Sequence, residues 1–266
     1  YDDIRKKVYF MKILAIGDIV GNCGIKKLKS ELKKIITEKN IDFVIVNGEN
    51  SAEGMGITEK NFNDILAEKV DVITMGNHTW GKKDIFKFIN HPKLIRPANY
   101  PAGVQGKGYN IYEFKNKKIG VINLIGRVDM NVLSENPFLI AKKLVDKLEK
   151  QVDIIVIDFH AEATAEKIAL ANYLDGKATI IFGTHTHVQT ADEQILEKGT
   201  GYITDIGMTG PKHSVIGMDI SASIKRFETT LPERYKIAVG ENIFNGVIFD
   251  VDESTNKVTK IERIRR

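Results

Sequence analysis

A single cysteine, Cys23, in 266 residues excludes an intramolecular disulfide and removes any thiolate-based structural zinc site. No apolar run approaches the roughly 20 residues needed to cross a bilayer, and the opening residues lack the apolar core of a signal peptide. A cytoplasmic protein with no membrane partner is therefore expected. Blocks of one charge are also scarce. The formal net charge is +4, and the densest basic groups, Arg5-Lys6-Lys7 and Arg263-Ile264-Arg265-Arg266, lie at the termini, where a solvated tail is the ordinary reading. This is weak support for a nucleic-acid partner and leaves that question open. Internal repeats, low-complexity segments and a convincing linker are missing as well.

What is present is a globular composition, 42% hydrophobic and 28% charged, sufficient for a sizeable core. The length suits one domain. That domain is expected over residues 11–266, because Met11 immediately opens a strand-like segment, and residues 1–10 are set apart as an N-terminal extension outside the fold.

Short β-branched runs alternate with amphipathic stretches, the pattern of βαβ units around a largely parallel central sheet. The runs are Ile13 to Ile16, Phe43 to Val46, Val70 to Met75, Ile154 to Phe159 and Thr179 to Phe182, with a sixth at Ile119 to Leu124. Ile25, Leu28, Leu32, Ile35 and Ile36 recur at helical spacing and predict a helix over 25–39. Thr58 is the expected N-cap of a second helix, Pro137 the first turn of a third, and residues 161–174 form a fourth. After residue 200 strand-like pieces return at Gly201 to Thr204, Gly246 to Val251 and Val258 to Ile261, and predict a second, mixed or antiparallel sheet.

The polar residues fall at one kind of place. Asp18 follows the first of the five runs, Glu49-Asn50 the second, Asn77-His78 the third, His160 the fourth and His185-x-His187 the fifth. Ligands of open α/β sheets bind beyond the carboxyl ends of strands, and parallel strands bring those ends to one edge. Carboxylates, amide oxygens and imidazoles without a thiolate suit iron, manganese or zinc. Gly17, Gly48 and Gly76 precede several of these groups and would allow tight turns and close approach of backbone to a bound anion. Taken singly, Asp18 reads as a helix cap, Glu49-Asn50 as turn chemistry, Asn77-His78 as a turn with a satisfied histidine, and His160 as a hydrogen-bonded core residue. Only the two imidazoles at His185 and His187 stand out alone. Five such groups in order, each at a strand end, favour a metal centre.

These motifs resemble those of the calcineurin-like metallophosphoesterases: Gly17-Asp18, Gly48-Glu49-Asn50, Gly76-Asn77-His78, His160 and Gly183-Thr184-His185-Thr186-His187. Two departures matter. The superfamily's first motif usually reads Asp-x-His, whereas Val20 follows Asp18 by two, and Glu49 stands where a bridging aspartate is usual. Both departures are similar to the YmdB-like cyclic-nucleotide phosphodiesterases, as are Ile16 to Gly21, Thr74 to Trp80 and Thr204 to Pro211, so that the resemblance runs from Met11 onward.

That resemblance implies a two-sheet metallophosphoesterase sandwich flanked by helices. It implies two divalent or mixed-valent metal ions, iron first, with manganese or zinc as alternatives. One metal would take Asp18, Glu49, Asn50 and His187; the other would take Glu49, Asn77, His160 and His185, with Glu49 as the bridge and Asn50 replacing the missing histidine. A hydroxide between the metals would attack a cyclic nucleotide, 2′,3′- or 3′,5′-cyclic, with His78 as general acid. A homo-oligomer, dimer or tetramer, is also implied. Asp205 and Thr209 are expected to orient a ligand histidine or shape the pocket. Arg127 would touch phosphate or form a structural ion pair; His91 is read as a loop residue, and His213 is left without a role. The alternatives are a phosphomonoesterase or nuclease on the same metals, and a regulatory or RNA-decay scaffold that retains them.

Overall fold

The computed structural model describes residues 10–234 and 236–266, so the expected extension lies outside the described residues apart from Phe10. Phe10 is the first residue of the opening strand, one position before the expected start of the domain. The first part comprises β1 (Phe10–Ile16), β2 (Asp18–Ile19), α1 (Gly21–Lys39), β3 (Phe43–Asn47), α2 (Glu59–Leu66), β4 (Val72–Thr74) and β5 (Leu94–Ile95). A hairpin of β6 (Tyr109–Phe114) and β7 (Lys117–Ile125) leads to α3 (Pro137–Leu148), β8 (Ile154–His160), α4 (Thr164–Tyr173), β9 (Ile180–Thr184), β10 (Gln194–Ile195) and β11 (Gly201–Ile203). The chain closes with β12 (Met208–Pro211), α5 (Ile220–Thr229), β13 (Asn242–Ile243), β14 (Asn245–Asp252) and β15 (Lys257–Arg265).

The apolar runs do not share one central sheet. They divide between two six-stranded sheets, ordered β15-β14-β1-β3-β4-β5 and β10-β11-β9-β8-β7-β6, with a small third sheet β13-β12-β2. A run that is apolar throughout is buried on both faces in either arrangement, so its pattern cannot say which strand lies beside it. Nor do the late strands form a sheet of their own. β14 and β15 extend the first sheet antiparallel, while β11 joins the second in parallel with β9.

Strand alternation sorts the core into layers. Ile13 and Ala15 of β1, with Phe43, Val72 and Phe249, face Val121, Val156, Ile180 and Phe182 between the sheets. Leu14 and Ile16 turn outward onto the buried stripe Ile25, Leu28, Leu32 and Ile35 of α1. Ala141 and Val145 of α3 and Leu170 of α4 cover the opposite outer face. The result is the expected two-sheet sandwich flanked by helices.

Helix ends follow local chemistry. Thr58 caps α2 by accepting the Asn61 N–H at 3.2 Å, and Pro137 opens α3 behind Asn136, which accepts from the Phe138 N–H. α1 begins at Gly21 rather than residue 25, where its glycines let the first turn lie against β12: a Cβ on Gly24 would come within 2.4 Å of the Thr209 carbonyl oxygen. α4 spans Thr164–Tyr173, shorter than expected because Ala163 before it is extended. Among the described residues no helix is long and apolar enough to cross a membrane.

Candidate metal centre

The first sheet delivers Asp18, Glu49, Asn50, Asn77 and His78 beyond β1, β3 and β4; the second delivers His160 at the end of β8 and His185 and His187 beyond β9. The two rows of strand ends meet. His160 Nε2 is the hub, 3.0 Å from Glu49 Oε1, 2.8 Å from Asn77 Oδ1 and 3.1 Å from His185 Nδ1. Glu49, His160 and His185 each offer an atom within 4.8 Å of the others, a spacing that could hold a metal ion. Asp18 Oδ2 accepts the His185 backbone N–H at 3.1 Å, while its Oδ1 is buried with no hydrogen-bond partner among the described residues.

On the other side of Glu49, the Asn50 amide nitrogen lies 3.2 Å from His187 Nε2 and donates to Glu49 Oε1 at 3.2 Å. The Asn50 oxygen faces His78 Nδ1 at 2.8 Å, and the His78 backbone N–H donates to Glu49 Oε2 at 2.9 Å. Glu49, Asn50, His78, His185 and His187 open onto a cavity of about 220 Å³.

The electrostatics follow from crowding acceptors into a dry place. Burial alone would push Glu49 up, but the charge and hydrogen bond of His160 overcome it and hold the carboxylate down at about 2. Burial would push His160 down; Glu49 and then Asp18 raise it to about 9. Burial, followed by the charge of His160, pushes His185 down to about 3, and burial raises Asp18. A buried carboxylate oxygen without a donor is costly, and Asp18 Oδ1 is left so beside carboxylate, amide and imidazole groups that converge. A cation in place of the imidazole proton would satisfy that oxygen, so these residues fit a metal.

The supporting shell is specific. Thr184 Oγ1 donates to Asp158 Oδ1 at 2.7 Å and lies 2.9 Å from His160 Nδ1, which leaves Nε2 to face Glu49. Asp158 also accepts from Thr74 and Asn47 of the first sheet, and burial pushes it up to about 6. His185 and His187 both take left-handed backbone angles, φ 103 and 65, a cost of roughly 1–3 kcal/mol each for residues other than glycine.

Residues 14–264 match the family described as YmdB-like protein. The chain belongs to the YmdB-like family. Among its relatives is a 2′,3′-cyclic-nucleotide 2′-phosphodiesterase of Bacillus subtilis (strain 168), 51% identical over 255 residues and covering 96% of each chain. A putative phosphatase/phosphodiesterase of Mycoplasma pneumoniae is 40% identical over 262 residues, covering 96% of this chain and 92% of its own. The crystal structure of a novel phosphatase from Mycoplasma pneumoniae superposes with a TM-score of 0.93 at 39% identity, covering 97% of this chain and 94% of that one. A hypothetical protein from Thermus thermophilus gives a TM-score of 0.90 at 36% identity, covering 96% of this chain and 99% of that one.

In this YmdB-like chain the seven expected ligands lie together with His78, and their neighbours fall only partly where expected. Arg127 forms no ion pair among the described residues; its side chain is exposed, and its backbone N–H donates to Glu166. Among the described residues Thr209 makes no hydrogen bond to a histidine, and holds the strand beside Asp18 through Asn245 and the β2–β12 pairing. Asp205 likewise makes no hydrogen bond to an imidazole, and grips Thr186 between two of them. His91 packs edge-on against Phe62, and His213 is exposed near Glu241. The glycines make room for close packing. A Cβ on Gly17 would meet the Gly207 carbonyl oxygen at 1.8 Å, on Gly48 the Ile73 side chain at 2.8 Å, and on Gly76 His160 at 2.3 Å.

Three residues escaped the sequence reading. Asp158 is one; the signal was a carboxylate inside an otherwise apolar run. Glu162 is another, its Oε2 being 3.1 Å from His185 Nε2 at the rim of the cavity. The third is Lys167, the one lysine of α4, buried beside Asp205.

Proposed function

We propose that this chain is a dinuclear-metal-dependent phosphodiesterase that hydrolyses cyclic nucleotides, 2′,3′-cyclic, 3′,5′-cyclic or both. The observation that carries this reading is the convergence of Glu49, Asn77, His160 and His185 around one point, with the orphaned Asp18 oxygen beside them, at the floor of a cavity that His78 also lines. The name of the Bacillus subtilis relative supports the substrate class.

Asp18, Glu49, Asn50 and His187 would hold one metal and Glu49, Asn77, His160 and His185 the other, with Glu49 shared. When bound, the two cations supply a water of lowered pKa as nucleophile and offset the charge that builds on the phosphoryl oxygens. His78 gives its proton to the departing ribose oxygen. Glu162 Oε2 lies 3.1 Å from His185 Nε2, on the side of the ring away from His160, and Asp158 orients His160 through Thr184. Iron is the first choice of metal, ahead of manganese and zinc. A homo-oligomer and a cytoplasmic location belong to the same proposal.

Metal analysis of freshly purified protein, with a turnover panel of cyclic nucleotides, linear dinucleotides and phosphomonoesters, tests it. Two metals per chain and fastest turnover of a cyclic nucleotide are expected. The double description of the Mycoplasma pneumoniae relative, phosphatase/phosphodiesterase, favours a phosphomonoesterase as the second reading. Faster release of phosphate from monoesters would select it; nuclease activity would appear with the dinucleotides, and a scaffold would turn over none of them.

Asn50 offers a further prediction. Its amide nitrogen, not its oxygen, faces His187, so holding a cation there requires the amide to turn over. An amide oxygen is a weaker ligand than the histidine usual at the first motif, so this metal is the looser of the two. Asn50→Ala should cost about one metal per chain and most activity, as measured by elemental analysis beside kinetics. Retention of two tightly bound metals would show that Asn50 is a turn residue.

A further inference from the structure

We propose that Lys167 and Asp205 are positioning residues, a buried ion pair that grips Thr186 and thereby fixes the directions of His185 and His187. The inference rests on the reading of those histidines as ligands, but its geometry stands apart from them.

The turn that carries both histidines is built against preference. His185 and His187 each adopt left-handed angles with no glycine between them, and such backbone persists only where its surroundings over-determine it. The restraint acts on the residue between them. Asp205 Oδ2 accepts the Thr186 backbone N–H at 3.1 Å and the Thr186 hydroxyl at 2.8 Å. Its Oδ1 accepts the Gly207 N–H at 2.9 Å, which fixes the carboxylate itself. Neither oxygen is left to bind a metal, so Asp205 acts through Thr186.

Lys167 completes the arrangement. Its ammonium lies 2.8 Å from Asp205 Oδ2, and the two side chains are 1% and 0% exposed. The stem runs from α4 past Gly183, where a Cβ would come within 2.8 Å of Lys167 Cδ, so this glycine immediately before Thr184 leaves room for the lysine. A fully buried pair contributes little stability relative to apolar residues of similar size, because desolvation offsets its attraction. Its role is sought in geometry. The Lys167 ammonium and Thr186 share one Asp205 oxygen, so the lysine holds the carboxylate where it accepts two Thr186 donors at once.

Two double variants separate geometry from stability. Lys167→Met with Asp205→Leu removes the charges and the acceptors; Lys167→Met with Asp205→Asn removes the charges but keeps an oxygen for Thr186. Purified holoenzyme of the leucine variant should surrender its metals at a chelator concentration about 10- to 100-fold lower than wild type, and the asparagine variant should recover most of that loss. In chelator-stripped protein, Thr186 amide hydrogen exchange should accelerate in the leucine variant and be restored in the asparagine variant, a readout that needs no metal. If wild type binds no metal but the exchange pattern holds, the metal reading fails and the clamp stands. Equal metal retention in wild type and leucine variant, or unchanged exchange, overturns the clamp. Should a double variant fail to fold, Thr186→Ala, which removes only the hydroxyl bond, is expected to weaken metal retention several-fold, and wild-type retention there overturns the proposal.

Discussion

Replacing His78 with glutamine should lower turnover of a cyclic nucleotide by roughly 10²- to 10⁴-fold while leaving metal content close to wild type. The ring is about one-third exposed, lines the cavity, and is held from behind by Asn50 Oδ1 at 2.8 Å and Glu49 Oε1 at 3.5 Å from Nδ1. With Nδ1 so occupied, Nε2 is the end free to carry a proton to a leaving group. Glutamine can keep a hydrogen bond to Asn50 but cannot supply that proton. The loss should track the leaving group: a ribose oxygen needs protonation, whereas a nitrophenolate departs readily without it. Comparing kcat for a cyclic nucleotide and a nitrophenyl phosphodiester is therefore the decisive measurement. An equal loss on both would move His78 from proton donor to positioning residue.

Gly76→Ala should be more damaging still, removing both metals and essentially all activity. The glycine does not occupy left-handed backbone, so an alanine there is not strained by its own φ. The conflict is spatial. A Cβ would stand 2.3 Å from His160 Cδ2, 2.4 Å from His160 Nε2 and 2.4 Å from Glu49 Oε2, closer than such atoms can approach. Relief requires His160 and Glu49 to part, yet these are the two groups on which the others converge. Overpacking of this kind costs roughly 1–3 kcal/mol of stability, so the variant should fold with a lowered melting temperature. Elemental analysis of the folded variant checks the prediction. Two metals retained at wild-type affinity would mean that the centre tolerates displacement of its hub.

The seven positions that converge at the candidate site were legible because each stands at the end of an apolar run, where a change from hydrophobic to polar residues is abrupt. Asp18 after Ile13 to Ile16 and His160 after Ile154 to Phe159 are marked by that boundary. Asp158 was not legible, because its role depends on Thr184 and Thr74 arriving from two different sheets, and no local pattern records the meeting. Lys167 lies in the helix Thr164–Tyr173, where a buried ammonium and a solvated one look alike in sequence. The two-sheet division was hidden for a related reason: strands covered on both faces carry no mark of their lateral neighbours. α5 also went unseen, since Ser223 is its only buried residue and its apolar side chains Ile224 and Phe227 remain exposed.

The first strand has its partners at opposite ends of the chain. β1 pairs with β3 on one side and with β14 on the other, Phe10 opposite Asp252, and β2 pairs with β12, Asp18 opposite Met208. A ribosome delivers residues in order, so one edge of β1 waits unpaired until β14 has been made. Helix α1 can dock on β1 and β3 early, but the strand beside Asp18 arrives only after residue 207. Until then the acid lies in a half-built sheet open to water. Assembly of the site is consequently a late event, and a metal held there would be loaded only after β12 has been delivered beside Asp18.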